Sequence, residues 1–139
     1  MERAICFRGK SKSTGEWVEG YYVGDNTIIP FNEVVYDLGC IDTSSSHECY
    51  PDTIGQFTGL YDKNGKEIYE GDIVLTPFVD PIFGDMVGED LCVKRQVKFN
   101  DGSFVVNEGN GFIYLECFTR NNHVEICGNI HDNPELVEG

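Results

Sequence analysis

The chain has 139 residues, 40% hydrophobic and 12% aromatic, with 24 acids against 10 bases for a net charge of −14. That length suits one compact domain or two small subdomains, and the apolar content is enough to bury a core, which excludes intrinsic disorder. The acidic field repels phosphate backbones and anionic lipid, which argues against direct nucleic-acid or membrane binding.

Apolar runs such as Phe112 to Leu115 and Ile73 to Leu75 are too short to cross a bilayer, and the opening residues break off before a signal core forms. A soluble, bacterial-cytoplasmic protein is expected. The six cysteines, at 6, 40, 49, 92, 117 and 127, form no C-x-x-C pair and read as reduced thiols. Those at 6, 92, 117 and 127 fall inside strand-like runs as small hydrophobes.

Taken in chain order, residues 3 to 8 read as a strand, and 9 to 15 as a polar, glycine-bounded loop leading to a second strand, 16 to 23. In that strand Trp17, Glu19, Tyr21 and Val23 share one side, with Val18, Gly20 and Tyr22 on the other. Asp25-Asn26 signals a turn, and Thr27 to Ile29 a short strand held to an edge or end by Pro30. Phe31 to Leu38 fits a strand or a single helical turn. Residues 42 to 53 lack periodicity and read as a mobile connection. From Ile54 the punctuation is regular: Asp62-Lys63-Asn64-Gly65 suits a tight hairpin, and Gly71-Asp72 a second sharp change before Ile73-Val74-Leu75. Residues 77 to 90 form a long acidic surface loop. Leu91 to Phe99 alternates as a strand with one wet face. Asn100-Asp101-Gly102, Gly109-Asn110-Gly111 and Asn121-Asn122 then punctuate strands 103 to 107, 112 to 119 and 123 to 130. Asn133-Pro134 opens a short terminal helical turn.

The run from Ile54 to Val74, with Asn100-Asp-Gly-Ser-Phe-Val-Val106 and Ile126-Cys-Gly-Asn-Ile-His-Asp-Asn-Pro-Glu-Leu136, closely resembles the YopX family of phage and prophage proteins. Phe7 to Lys10 and Gly15 to Gly20 are similar to its N-terminal blocks, so the resemblance spans nearly the whole chain. It implies a small, mainly β protein of phages or integrated elements, acting in the host cytoplasm, and it brings no activity or catalytic residue set. Stretch 77 to 90 looks like a variable insertion. The start of strand Gly-Asp-Ile-Val also suggests a small SH3-like barrel, a likeness of fold alone.

Asn64, Gly65, Gly71 and Asp72 read as a structural turn motif, because a tight turn needs positive φ and an acid can bond backbone amides. His47, His123 and His131 are the natural acid-base candidates, but no serine or cysteine stands in a nucleophile setting beside them. Cys40, His47 and Cys49 match no zinc spacing. Gly109-Asn110-Gly111 lacks the helix and lysine of a phosphate loop. No catalytic residue, metal or cofactor is therefore assigned. Trp17, Tyr21 and Tyr22 read as caps of the core, with an exposed aromatic anchor as the alternative. Arg95 interrupts the apolar set Leu91, Val93, Val97, Phe99 and reads as a paired structural arginine, the alternative being a ligand-facing one.

The expectation is a mainly β chain with a smaller N-terminal subdomain to about residue 50, a barrel-like core of antiparallel hairpins over 54 to 130, and a helical turn over 131 to 139. Its role is a non-catalytic phage or prophage accessory one, through a protein partner or as a homo-oligomer. The alternatives are an acidic nucleic-acid mimic that blocks a nucleic-acid-binding protein, and a small hydrolase or metal-dependent enzyme.

Overall fold

The computed structural model describes residues 6–30, 35–37, 40–42, 46–79, 86–87, 93–108, 111–120 and 122–136. The chain divides into two units, Met1–Phe57 and Thr58–Gly139. Both are built from antiparallel strands.

The N-terminal unit contains β1 (Phe7–Lys10), β2 (Trp17–Gly24), β3 (Thr27–Pro30), β4 (Val35–Asp37), β5 (Cys40–Asp42), β6 (His47–Glu48) and the first part of β7 (Gly55–Tyr61). Strands β6-β3-β2-β1-β7 lie side by side in that order, as part of a six-stranded sheet, while β4 and β5 pair as a separate hairpin. Strand β1 continues through Gly9 and Lys10, two residues beyond the sequence reading. Gly9 is small because a Cβ there would stand 3.0 Å from the Cys49 Cβ. The β2–β3 turn places Asp25 and Asn26 at φ 52° and 60°, the left-handed region that short acidic and amide side chains tolerate. Gly20, opposite Pro30, has no room for a side chain: a Cβ would stand 2.7 Å from the Ile29 carbonyl carbon. Cys6, Ile28, Ile29, Cys49 and Phe57 are buried. Residues 46 to 53 are tied into this unit, since Ser11 bridges Cys49, the Cys49 amide donates to the Asn26 carbonyl, and the Tyr50 amide to that of Lys10.

The C-terminal unit takes in the rest of β7, then β8 (Glu67–Tyr69), β9 (Asp72–Thr76), β10 (Phe78–Val79), β11 (Met86–Val87), β12 (Val93–Asn100), β13 (Ser103–Glu108), β14 (Gly111–Tyr114), helix α1 (Glu116–Thr119) and β15 (Glu125–Asn129). A 3-10 turn at Pro134–Leu136 follows, as the Asn133-Pro134 signal predicts. Its five-stranded sheet has the order β14-β13-β12-β9-β15. The first half of β12 pairs with β9, Val93 facing Thr76 through Gln96 facing Ile73. The second half pairs with β13. The sheet therefore ends at β14 on one side and β15 on the other, and the expected barrel-like closure is corrected to open sheets. Pairing between β9 and two strands distant in sequence decides that outcome, and hairpin signals carry no information about it.

The unit's core is Ile68, Val74, Val97, Val106, Leu115, Phe118 and Val124. Each such burial is worth roughly 1.5–3 kcal/mol as an upper estimate. Phe118 enters from α1, where the sequence reads a strand continuing to 119. Leu115 adopts helical angles, φ −55° and ψ −37°, and the turn brings both Leu115 and Phe118 inward. Pairs β10 and β11 fall at the ends of the 77 to 90 stretch. Residues 80–85 and 88–90 of that stretch, with residues 3–5, 31–34, 38, 43–45, 91, 92, 109, 110 and 121, on which further sequence expectations fall, lie outside the described residues.

Candidate functional site

The motif Asn64, Gly65, Gly71 and Asp72 falls on two turns, each organised by a buried aspartate. Asp62 is 6% exposed; its Oδ1 accepts from the amides of Asn64 and Lys66 at 2.9 Å, and its Oδ2 from that of Ile126 at 3.1 Å. One carboxylate thus closes the Gly65 turn, at φ 81°, and holds the start of β15. Asp72 Oδ2 accepts from the Tyr69 amide at 2.8 Å. Gly71, at φ 94°, links further strands, donating from N to the Val97 carbonyl and accepting from the Ile130 amide. A buried acid meeting several amide donors has its desolvation offset by them, which accounts for the recurrence of Asp beside Gly in this run.

Arg95 is 3% exposed. Its Nε donates to Thr76 Oγ1 at 2.7 Å and its Nη1 to the Asn107 carbonyl at 3.0 Å, while the guanidinium lies 5.7 Å from the centre of the Phe118 ring. The arrangement ties β9, β12 and β13 together inside the unit. Trp17, Tyr21 and Tyr22 lie on β2, far along the chain from Arg95. Trp17 is covered by Arg8 at 4.7 Å and Lys10 at 5.5 Å from its ring centre, cations that the neighbouring β1 presents on the same face because they alternate along the strand. Tyr22 meets Phe7 on the opposite face, ring centres 5.5 Å apart. Tyr21 is 46% exposed.

One pair separated by 36 residues is invisible to spacing rules: Ser11 Oγ lies 3.1 Å from His47 Nδ1 and 3.0 Å from Ser13 Oγ. Ser11 is wholly buried, so no substrate can approach its oxygen, and the pair serves to fix β6 beside the loop. Cys49 follows in the same segment; burial pushes its thiol up, with the Glu48 charge adding to the effect. A raised thiol is protonated and a poor nucleophile. Burial likewise raises Cys127, although Lys94 opposes the shift. Among the described residues no group of three or more His, Cys, Asp or Glu could hold a metal ion, and no helix is long and apolar enough to cross a membrane.

A surface with binding character lies at the β14 edge. The pairings Lys98–Val105–Tyr114 and Asn107–Phe112 place Val105, Phe112 and Tyr114 on the outer face, while Val97, Val106 and Ile113 turn to the core. Phe112 is 50% exposed and Tyr114 62%. They border a pocket of about 190 Å³ lined by Asn100, Asp101, Ser103, Val105, Phe112 and Tyr114. Val105, 4% exposed, forms its apolar floor. The β12–β13 turn, with Asp101 at φ 48° and Gly102 at φ 82°, supplies the polar rim. Two rings two residues apart on one strand offer flat apolar area, and the amide, carboxylate and hydroxyl beside them offer hydrogen bonds. The lining carries no nucleophile paired with a base.

Fold and pocket together define a small, mainly antiparallel β protein with open sheets and an aromatic groove at a sheet edge. The chain belongs to the YopX family, whose model, described as YopX protein, matches residues 6–138. It is similar in fold to the crystal structure of protein EF1440 from Enterococcus faecalis, with a TM-score of 0.59 and 23% sequence identity, covering 98% of this chain and 99% of that one. No curated protein matches the chain.

Proposed function

We propose that the protein is a non-catalytic phage or prophage accessory module that works through protein contacts in the host cytoplasm, with the Phe112 and Tyr114 groove as its contact surface. The observation that carries this reading is the placement of two half-exposed aromatic rings on an uncharged strand at the open edge of a sheet. Aromatic side chains gathered around a small pocket are the usual energetic centre of a protein interface, and an edge strand adds unpaired backbone groups to the same surface.

The test is capture from nuclease-treated host lysate with the tagged chain as bait, at low and moderate salt, comparing wild type with Tyr114→Lys. The expected result is retention of one protein, the chain itself or another, by wild type and its loss by the variant. Equal recovery by both would overturn the assignment of the surface. Salt separates the contact from an acidic mimic's, because binding driven by the −14 charge to a basic groove falls steeply as screening rises.

A further inference from the structure

The edge strands of the sheets differ in how they are protected. The edge strand β6 is only two residues long and carries Glu48, whose Oε2 pairs with Lys12 Nζ at 2.7 Å. Strand β15 carries Glu125, paired with Lys63 at 3.4 Å, and a bulge between Ile126 and Gly128. Short length, charge and bulges are the usual devices that stop an edge from pairing with another chain. Strand β14, Gly-Phe-Ile-Tyr, is short but has neither charge nor proline nor bulge, and keeps a regular register with β13 from Gly111 to Tyr114.

The backbone directions on β14 follow from one bond. The Leu115 amide donates to the Phe104 carbonyl of β13, and in an antiparallel ladder the residues facing a given neighbour alternate. Ile113 and Gly111 therefore also address β13, while the amides and carbonyls of Phe112 and Tyr114 point to the open edge. A second β14 running antiparallel can use those groups only if outward-facing residues meet outward-facing ones. Pairing centred on Phe112 would set Glu108 against the partner's Glu116. Pairing centred on Tyr114 would set Phe112 against the partner's Glu116, where the chain has already turned into α1. Pairing centred on Ile113 sets Phe112 opposite the partner's Tyr114, with reciprocal backbone bonds and the two rings on one face at cross-strand contact distance. Every residue in that overlap is uncharged, the condition a chain of net charge −14 must meet to approach its own copy.

We infer that the occupant of the groove is a second copy of this chain, joined through β14 about a two-fold axis at Ile113, so that two open sheets become one and the two aromatic grooves form a single patch. The inference rests on the reading of this groove as the contact surface. Like-charged copies repel, so salt strengthens the association. The sign is opposite to that of an acidic mimic on its target.

Sedimentation of the purified chain over a concentration series tests it. Wild type should pass from monomer to dimer and shift toward dimer at higher salt. Tyr114→Lys and Phe112→Lys should each weaken association by about tenfold or more with far-ultraviolet dichroism unchanged, and melting temperature unchanged at concentrations where wild type is monomeric; Tyr61→Lys, also at an exposed aromatic, should not weaken it. In a background carrying Cys117→Ser and Cys127→Ser, which removes both exposed native thiols among the described residues, mild oxidation of Phe112→Cys mixed with Tyr114→Cys should cross-link, since directly opposed strand residues meet disulfide geometry, and Phe112→Cys alone should not. A monomer at all concentrations, a dimer indifferent to both lysine variants or weakened by salt, or cross-linking of Phe112→Cys with itself would overturn it. Should the chain stay monomeric while capturing another protein in a Tyr114-dependent way, the second-copy inference falls and the proposed contact surface stands. If Tyr114→Lys changes neither behaviour, both fall.

Discussion

The two units show aromatic side chains to solvent in different company. In the N-terminal unit Trp17 lies under Arg8 and Lys10 and Tyr22 meets Phe7, so much of the ring surface is already engaged within its own sheet. In the C-terminal unit Phe112 and Tyr114 stand beside a pocket on an edge strand, with the apolar floor provided and the upper side open. Exposure alone does not make a docking surface: Tyr21, at 46%, and Phe112, at 50%, are almost equally accessible. What separates them is position, because β2 has strands on both sides and β14 on one. A ring on a central strand can be covered only from above, whereas a ring on an edge strand can be covered by extending the sheet.

Two glycines, one in each unit, are obligatory for different reasons, and the largest expected effects lie there. At Gly20 in the N-terminal unit the constraint is steric. Gly20→Ala would force a Cβ to within 2.7 Å of the Ile29 carbonyl carbon and 2.8 Å of the Pro30 Cα, both backbone atoms that can move only by opening the β2–β3 pairing. A loss of about 3 kcal/mol is expected, read from the urea midpoint. A loss under about 0.5 kcal/mol would show that the pairing is looser than drawn.

At Gly71 in the C-terminal unit the constraint is conformational, and the effect is smaller. Around Gly71 there is space: the nearest atom to a Cβ would be His131 Nε2 at 3.6 Å. The cost of Gly71→Val comes from φ 94°, which a β-branched residue reaches only with strain, and is expected to be at least about 1 kcal/mol. An unchanged melting temperature would remove the claim. Gly71→Ala should fall between the two, since alanine carries the φ penalty without the branching.

How much of this was legible in the sequence follows from the range of each interaction. Turns at Asp25-Asn26, Asn64-Gly65 and Asp101-Gly102 are local, because positive φ is a property of the residue itself, and the sequence marks each of them. The interruption at Arg95 was visible as a charge in an apolar alternation, but Thr76 and Asn107, which receive its hydrogen bonds, are far along the chain and left no trace in spacing. Helix α1 was hidden because Leu115 and Phe118 fit a strand pattern as well as an inward-facing turn. The edge position of β14 is a fact of strand order, set by β9 pairing with both β12 and β15, so the groove was not readable at all. Phe112 and Tyr114 showed only as members of an apolar run. Two aromatics at i and i+2 on a strand without any charge were the available signal, and it becomes informative only once that strand is known to lack a neighbour.

The smallest expected effect separates a thiol enclosed by the first unit from one left outside by the second. Cys49 is wholly buried while Cys117 is exposed, so a maleimide should label Cys117 first and Cys49 only on unfolding. Burial raises the Cys49 pKa, which means that folding favours the neutral thiol. The associated stability is fully present below the ordinary thiol range and is lost as pH rises through the raised folded value. Cys49→Ala should therefore lower stability at neutral pH, through the volume removed from the core, yet show a shallower decline on the alkaline side than wild type when urea midpoints are compared from pH 7 upward. Identical alkaline slopes would mean that Cys49 ionises in the folded protein as it does in the unfolded chain, and labelling of Cys49 as fast as Cys117 would mean that the segment joining Ser11 to Cys49 opens on the labelling timescale. Either result would move the firmness of the comparison from the N-terminal unit to the C-terminal one, where Asp62 holds one turn and a strand through a single carboxylate.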